Sequence, residues 1–267
     1  IDGLEATHDR LRGVSGSHRA AVAALANARA VGLPYTVNTQ INRLSAPEIP
    51  AVADLLVAEG VRAWQIQLTV PMGRAADEPD VLLQPYDLLD VFPMLAEVIE
   101  RVGRSGVRVW PANNIGYFGP YEQIIRAAQP GRHMVSCTAG RHSLGIEADG
   151  TLKGCPSLPT DAWASGNLRE HRLAELWARA APLRYVRERT VDDLWGLCRS
   201  CYYAEDCLAG CTWTAHVFFG RPGNNPYCHH RAVELARQGK RERFVRVEAA
   251  GNRPFDHGRF ELLVEDT

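Results

Sequence analysis

Seven cysteines, all in the second half of a 267-residue chain, constrain what it can fold into more than any other feature. They stand at Cys137, Cys155, Cys198, Cys201, Cys207, Cys211 and Cys228. An odd count confined to one region does not suit a disulfide framework, which pairs its cysteines. Thiolates grouped this way suit iron–sulfur clusters or zinc. The Cys198-x2-Cys201 pair can grip one centre from a tight turn. Asp149-Gly150, between Leu144–Ala148 and Thr151–Leu152, signals a hairpin with a type I′ turn, because glycine accepts positive φ. That hairpin fixes where Cys155 stands relative to Cys137. A four-thiolate zinc site from Cys198, Cys201, Cys207 and Cys228 leaves the other three cysteines unexplained.

Ahead of the cysteines the pattern alternates between helical and strand periods. Arg19–Val31 reads as a helix, Pro34–Ile41 as a strand, and Ser45-Ala46-Pro47-Glu48 as a capping box opening a helix with Ile49, Val52, Leu55 and Leu56 inward. Val61–Val70 reads as a second strand, residues 71–85 as a loop, and Tyr86–Val102 as an amphipathic helix that Pro93 kinks or delays. Val107–Trp110 is a third strand. This rhythm predicts an α/β fold with parallel strands and crossover helices. The character changes near residue 130, where Gly, Pro and Cys become frequent. The division expected is therefore 1–130, 131–235 and a polar tail over 236–267, with an edge strand near Arg259–Val264 or a loose end.

Charge narrows the partners. Thirty basic residues against 31 acidic ones, a formal net charge of −1, give no surplus for nucleic acid or an anionic membrane. No apolar run approaches the roughly 20 residues that span a bilayer, and no secretory leader is evident, so a cytoplasmic protein is expected. The opening Ile1-Asp2-Gly3 reads as an interruption, and a missing N-terminal piece is expected.

The cysteine spacing resembles the SPASM domain, the C-terminal extension of a group of radical S-adenosylmethionine enzymes. That family's motif is Cys-x9–15-Gly-x4-Cys, a gap, Cys-x2-Cys-x5-Cys-x3-Cys, a gap and Cys, and Cys137 … Gly150 … Cys155, Cys198 to Cys211 and Cys228 all match it. The resemblance implies two auxiliary 4Fe–4S clusters, one on Cys137, Cys155 and Cys211 and one on Cys198, Cys201, Cys207 and Cys228. The fourth iron site of the first is then open, or filled by substrate, water or another side chain; His133 is a conceivable ligand, though a solvated histidine is the plainer reading. His229 and His230 read as a surface pair at a helix start. Tyr202, Glu205 and Asp206, inside the cysteine run, read as polar surroundings rather than catalytic groups.

The opening also resembles this family. Ile1-Asp2-Gly3 … His8-Asp9-Arg10-Leu11-Arg12 is similar to the stretch after the fourth strand of the barrel, where the arginine matching Arg12 pairs with the cofactor carboxylate. The resemblance implies the C-terminal half of a partial (β/α)6 TIM-like barrel, with Asn38, Gln65 and Gln67 on strands facing S-adenosylmethionine. The family's Cys-x3-Cys-x2-Cys, which holds the third, catalytic 4Fe–4S cluster, is not in this sequence. This chain alone is therefore expected not to cleave S-adenosylmethionine. The full-length enzyme implied is an oxidoreductase that makes a 5′-deoxyadenosyl radical and abstracts hydrogen from a peptide or protein substrate, with an electron donor such as flavodoxin or ferredoxin. Pro156 stands where sulfatase-maturating members carry an aspartate, which disfavours formylglycine formation. A non-catalytic electron-transfer module and a zinc-stabilised peptide-binding module are the alternatives.

Overall fold

The computed structural model describes residues 1–115, 118–129, 131, 136–251 and 256–267. Its first half is organised by a three-stranded parallel sheet of β1 (Val37–Ile41), β2 (Ala63–Leu68) and β3 (Arg108–Pro111), in the order β1-β2-β3. Val37 lies opposite Trp64 and Ile41 opposite Leu68, while Ala63 pairs with Arg108 and Ile66 with Pro111. Parallel neighbours need a crossover. The helices Ile49–Ala58 and Leu88–Arg104 supply the two connections.

Alternation along the strands gives the sheet two unlike faces. Val37, Thr39, Ile41, Trp64, Ile66, Leu68 and Val109 are buried. They meet Ile49, Val52, Ala53 and Leu56 from one helix and Leu88, Phe92, Leu95, Ile99 and Val102 from the other. Burying each large apolar side chain contributes about 1.5–3 kcal/mol, so this layer anchors the fold. Asn38, Gln40, Gln65, Gln67 and Trp110 occupy the opposite face and are exposed or half-buried.

Several local expectations need correction. Ser45 makes no helix cap; its hydroxyl donates to the Gln40 carbonyl (3.0 Å), and Glu48 instead accepts from Leu4 N–H (2.7 Å) and the Thr7 hydroxyl (2.7 Å). The acidic group expected to serve its own helix thus holds the start of a distant one, Glu5–Arg12. Leu55 is half-buried and Ala53 takes the inward position. Residues 71–85 contain the short helix Arg74–Asp77 and a 3-10 turn at Pro79–Val81, with Val81, Leu82 and Leu83 buried. The helix at Leu88 starts two residues later than its periodicity suggests, and runs on through Pro93.

The second half is built of short helices and two antiparallel hairpins. Its small hairpin pairs β4 (Gly145–Ile146) with β5 (Leu152–Lys153). Gly150 takes φ +92°, but Asp149 stays at negative φ. The Gly150 N–H donates to the Glu147 carbonyl (2.9 Å), so the turn is not type I′; glycine alone supplies the left-handed step. The segment read as a polar tail forms a long hairpin, β6 (Lys240–Glu248) with β7 (Arg259–Asp266). Phe244 stacks on Phe218 at 4.0 Å, and its N–H donates to the Gln84 side chain (2.7 Å). The Tyr227 hydroxyl donates to the Leu83 carbonyl (2.9 Å). Among the described residues no helix is long and apolar enough to cross a membrane.

Candidate metal centres

None of the seven cysteines is in a disulfide. They divide between two recesses. Cys137, Cys155 and Cys211 border a cavity of about 400 Å³ that also touches Gln65, Gln67, Trp110 and Trp213. Cys198, Cys201, Cys207 and Cys228 border a second, apolar recess with Phe118 and Tyr203 on its wall. Along the chain the two sets interleave, because Cys211 returns to the first after Cys207 has served the second.

In the three-cysteine site each thiol is set by its local backbone. Cys137 leads into a tight turn in which Ser143 N–H donates to the Thr138 carbonyl and Gly140 N–H to the Ser143 carbonyl (2.8 Å). Gly140, at φ +66°, lies so close to Leu183 that a Cβ would stand 2.3 Å from its carbonyl oxygen. Cys155 begins the turn closed by Leu158 N–H to its carbonyl (3.2 Å). Lys153, fully buried, clamps that turn from beneath: its Nζ donates to the carbonyls of Leu158 (2.7 Å) and Pro156 (3.2 Å) and pairs with Glu147 (2.5 Å). Cys211 precedes the helix Thr212–Phe219 and follows three left-handed residues, Leu208, Ala209 and Gly210. Buried Arg189 donates to the Gly210 carbonyl (3.3 Å) and the Thr212 hydroxyl (3.2 Å), holding this reversal from behind.

The four-cysteine site is assembled from a 3-10 turn at Gly196–Ser200, the short helix Ala204–Cys207 and the residue before the helix His229–Ala236. Asn225 N–H donates to Cys198 Sγ (3.4 Å) and Tyr203 N–H to Cys201 Sγ (3.4 Å). Burial raises the pKa of Cys155, Cys198 and Cys207, and pushes the Cys228 thiol up to about 12. Cys211 is raised by burial and then by the neighbouring Cys137. These thiols are thus desolvated and close to one another, the setting in which a cationic iron centre stabilises thiolates. Among the described residues, no three His, Cys, Asp or Glu side chains converge as they would around one ion. Three thiols border the cavity of about 400 Å³, and the other four line a tight recess of about 20 Å³.

Of the four positions expected to contact S-adenosylmethionine, Asn38, Gln65 and Gln67 share the polar sheet face, and Arg12 borders a different cavity. Arg12 pairs with Asp2 (2.6 Å) and borders a cavity of about 240 Å³. Gln67 borders the three-cysteine cavity instead. Asn38 is exposed on the polar sheet face, where its amide donates to Gln65 (3.4 Å). Sequence reading missed Gln40, Asn42 and Thr69, which line the Arg12 cavity at the carboxyl ends of β1 and β2. Their position was the available signal, since ligands of parallel α/β sheets bind at those ends. His229 is buried, stacked on Phe92 at 4.8 Å with its pKa lowered by burial to about 4, so it is no surface residue. Tyr202, Glu205 and Asp206 are exposed. His133 lies outside the described residues.

An α/β half joined to interleaved thiol recesses is the arrangement that the SPASM resemblance implies. The model of the SPASM family, an iron–sulfur cluster-binding domain, matches residues 137–202. By sequence the chain is a relative of radical S-adenosylmethionine enzymes. An AdoMet-dependent heme synthase of Methanosarcina barkeri is 27% identical over 242 residues, covering 86% of this chain and 66% of its own length. A PqqA peptide cyclase of Methylobacterium nodulans is 26% identical over 204 residues, covering 74% of this chain and 50% of its own. The crystal structure of Streptococcus suis SuiB bound to precursor peptide SuiA matches with a TM-score of 0.56 at 14% identity, over 86% of this chain and 52% of that one, a likeness of fold alone. The chain spans 66%, 64% and 60% of the length of three heme synthase relatives.

Proposed function

We propose that this chain is the auxiliary-cluster part of a radical S-adenosylmethionine peptide or protein maturase. In this reading Cys137, Cys155 and Cys211 hold one 4Fe–4S cluster and Cys198, Cys201, Cys207 and Cys228 hold a second. The observation that carries it is the division of all seven thiols, three and four, between two recesses. When bound, such clusters supply one-electron transfer, and S-adenosylmethionine with a third cluster supplies the radical that abstracts hydrogen.

The chain's own residues set what surrounds that chemistry. The polar face of β1–β3 is read as the interior of a partial barrel over residues 1–130, with the SPASM domain over 131–235 and the C-terminal segment over 236–267. Arg12, half-exposed and meeting Asp2 through one guanidinium nitrogen, is suited to a cofactor carboxylate through its other N–H groups. The cavity beside the three thiols has amide, hydroxyl and indole groups and, among the described residues that line it, no charged side chain. Amides and indoles bind and orient a peptide backbone while keeping water from it.

Heme-forming chemistry is the second reading, favoured by the similarity to heme synthases. The uncharged cavity argues against it, because a tetrapyrrole carries carboxylates that call for arginine or lysine. Anaerobic reconstitution with iron, sulfide and zinc analysis tests the cluster reading. About eight iron and eight sulfide per chain are expected, two cubanes' worth. One zinc with negligible iron would replace this reading with a structural binding module. The chain alone is expected to yield no 5′-deoxyadenosine from S-adenosylmethionine, since it lacks the cysteine triplet.

A further inference from the structure

Arg231 is a buried cation. It is 3% exposed and its partner Glu242, on β6, is 5% exposed. Arg231 Nε and Nη2 donate to the two carboxylate oxygens of Glu242, and Nη1 donates to Asn224 Oδ1 (2.5 Å) and the Asn225 carbonyl (3.4 Å). Replacing a buried ion pair by well-packed apolar residues is often neutral or stabilising, so stability alone does not account for it. Its position does more. Arg231 borders the recess of Cys198, Cys201, Cys207 and Cys228, whereas Glu242 does not. The same guanidinium fixes the 224–225 backbone, whose Asn225 N–H donates to Cys198 Sγ.

We propose that Arg231, held in place by Glu242, is a positioning residue that sets the reduction potential of the four-cysteine centre. The inference rests on the reading of that site as a 4Fe–4S cluster. Two physical effects act in one direction. Four thiolates make the cluster anionic, and reduction adds one more negative charge. The permanent charge of a residue that borders the recess therefore favours the reduced state. A hydrogen bond to a ligand sulfur favours it too. Glu242 opposes this from farther away while locking the geometry. The C-terminal hairpin thereby acts on a recess that none of its described residues borders.

The test is an EPR-monitored redox titration of the reconstituted full chain, after iron and sulfide analysis. Arg231→Gln is expected to lower the midpoint potential of one auxiliary signal and leave the other in place. Glu242→Gln is expected to raise that same signal, and Arg231→Lys to recover most of the loss. Opposite signs cannot arise from a merely structural pair. Potentials unmoved at full iron content, shifts of the same sign, or loss of iron from both variants would each overturn the inference. Zinc or absent iron in the unmutated chain would overturn the cluster reading itself, before any potential is compared.

Discussion

Lys153 belongs to none of the cysteine spacings, yet the turn carrying Cys155 closes over its ammonium. Removing that ammonium leaves Glu147 and two carbonyls without it. Breaking a buried pair in this way costs about 3–5 kcal/mol. Lys153→Met is expected to drop the loading of the reconstituted chain by about four irons while one EPR signal persists. Full loading in that variant would show that the turn stands without the clamp. His216 makes a second prediction at this scale. It is buried, it lies beside His257, and its Nδ1 accepts from Trp163 Nε1 (3.4 Å). Burial lowers its pKa from 6.5 to about 4. Between those values the unfolded chain binds a proton that the folded chain does not, so stability is full above pH 6.5 and falls as the pH drops toward 4. Its share of the slope is at most about 1.4 kcal/mol per pH unit, and buried His229 adds a like share. Urea titrations across that range should show the sum, and His216→Phe should reduce it.

At the scale of elements, the telling piece is the reversal between Cys207 and Cys211. Leu208, Ala209 and Gly210 have φ of 48°, 56° and 54°. For residues with a Cβ this conformation costs roughly 1–2 kcal/mol each. The turn sends one cysteine to each recess, and Arg189 braces its far end. Ala209→Gly is expected to stabilise the chain by up to about 1 kcal/mol, read as a higher urea midpoint. A lower midpoint would mean that the buried Ala209 methyl outweighs the strain. The three-residue spacing of this pair was plain in the sequence, but its handedness was not, because leucine and alanine do not announce positive φ. The Asp149-Gly150 hairpin shows the converse: glycine marked the turn correctly, while the turn type depended on Asp149 remaining at negative φ.

Over the whole molecule, one core joins the parallel sheet to the C-terminal hairpin. Phe218, Tyr227, Phe244 and Phe260 belong to the same buried cluster as Ile66, Leu88 and Phe92. Phe244→Ala should cost about 3–5 kcal/mol and lower the urea midpoint of the sheet as much as that of the hairpin. Tryptophan fluorescence and far-UV circular dichroism should therefore report coincident transitions. Separate transitions would show that the hairpin folds independently.

The sequence by itself determined the α/β half, through its two periodicities, and the grouping of soft ligands, through cysteine spacing. Both are local patterns, repeated over short stretches of chain. Only the tertiary structure decided that Glu48 serves a helix more than forty residues away, that Gln40 rather than Asn38 shares a cavity with Arg12, and that Glu242 fixes Arg231 beside Cys198. Strand β6 reads as a polar tail because six of its nine residues are charged and only Phe244, Val245 and Val247 are apolar. Which face is buried depends on what packs against it, and nothing within a few residues of Phe244 specifies Phe218.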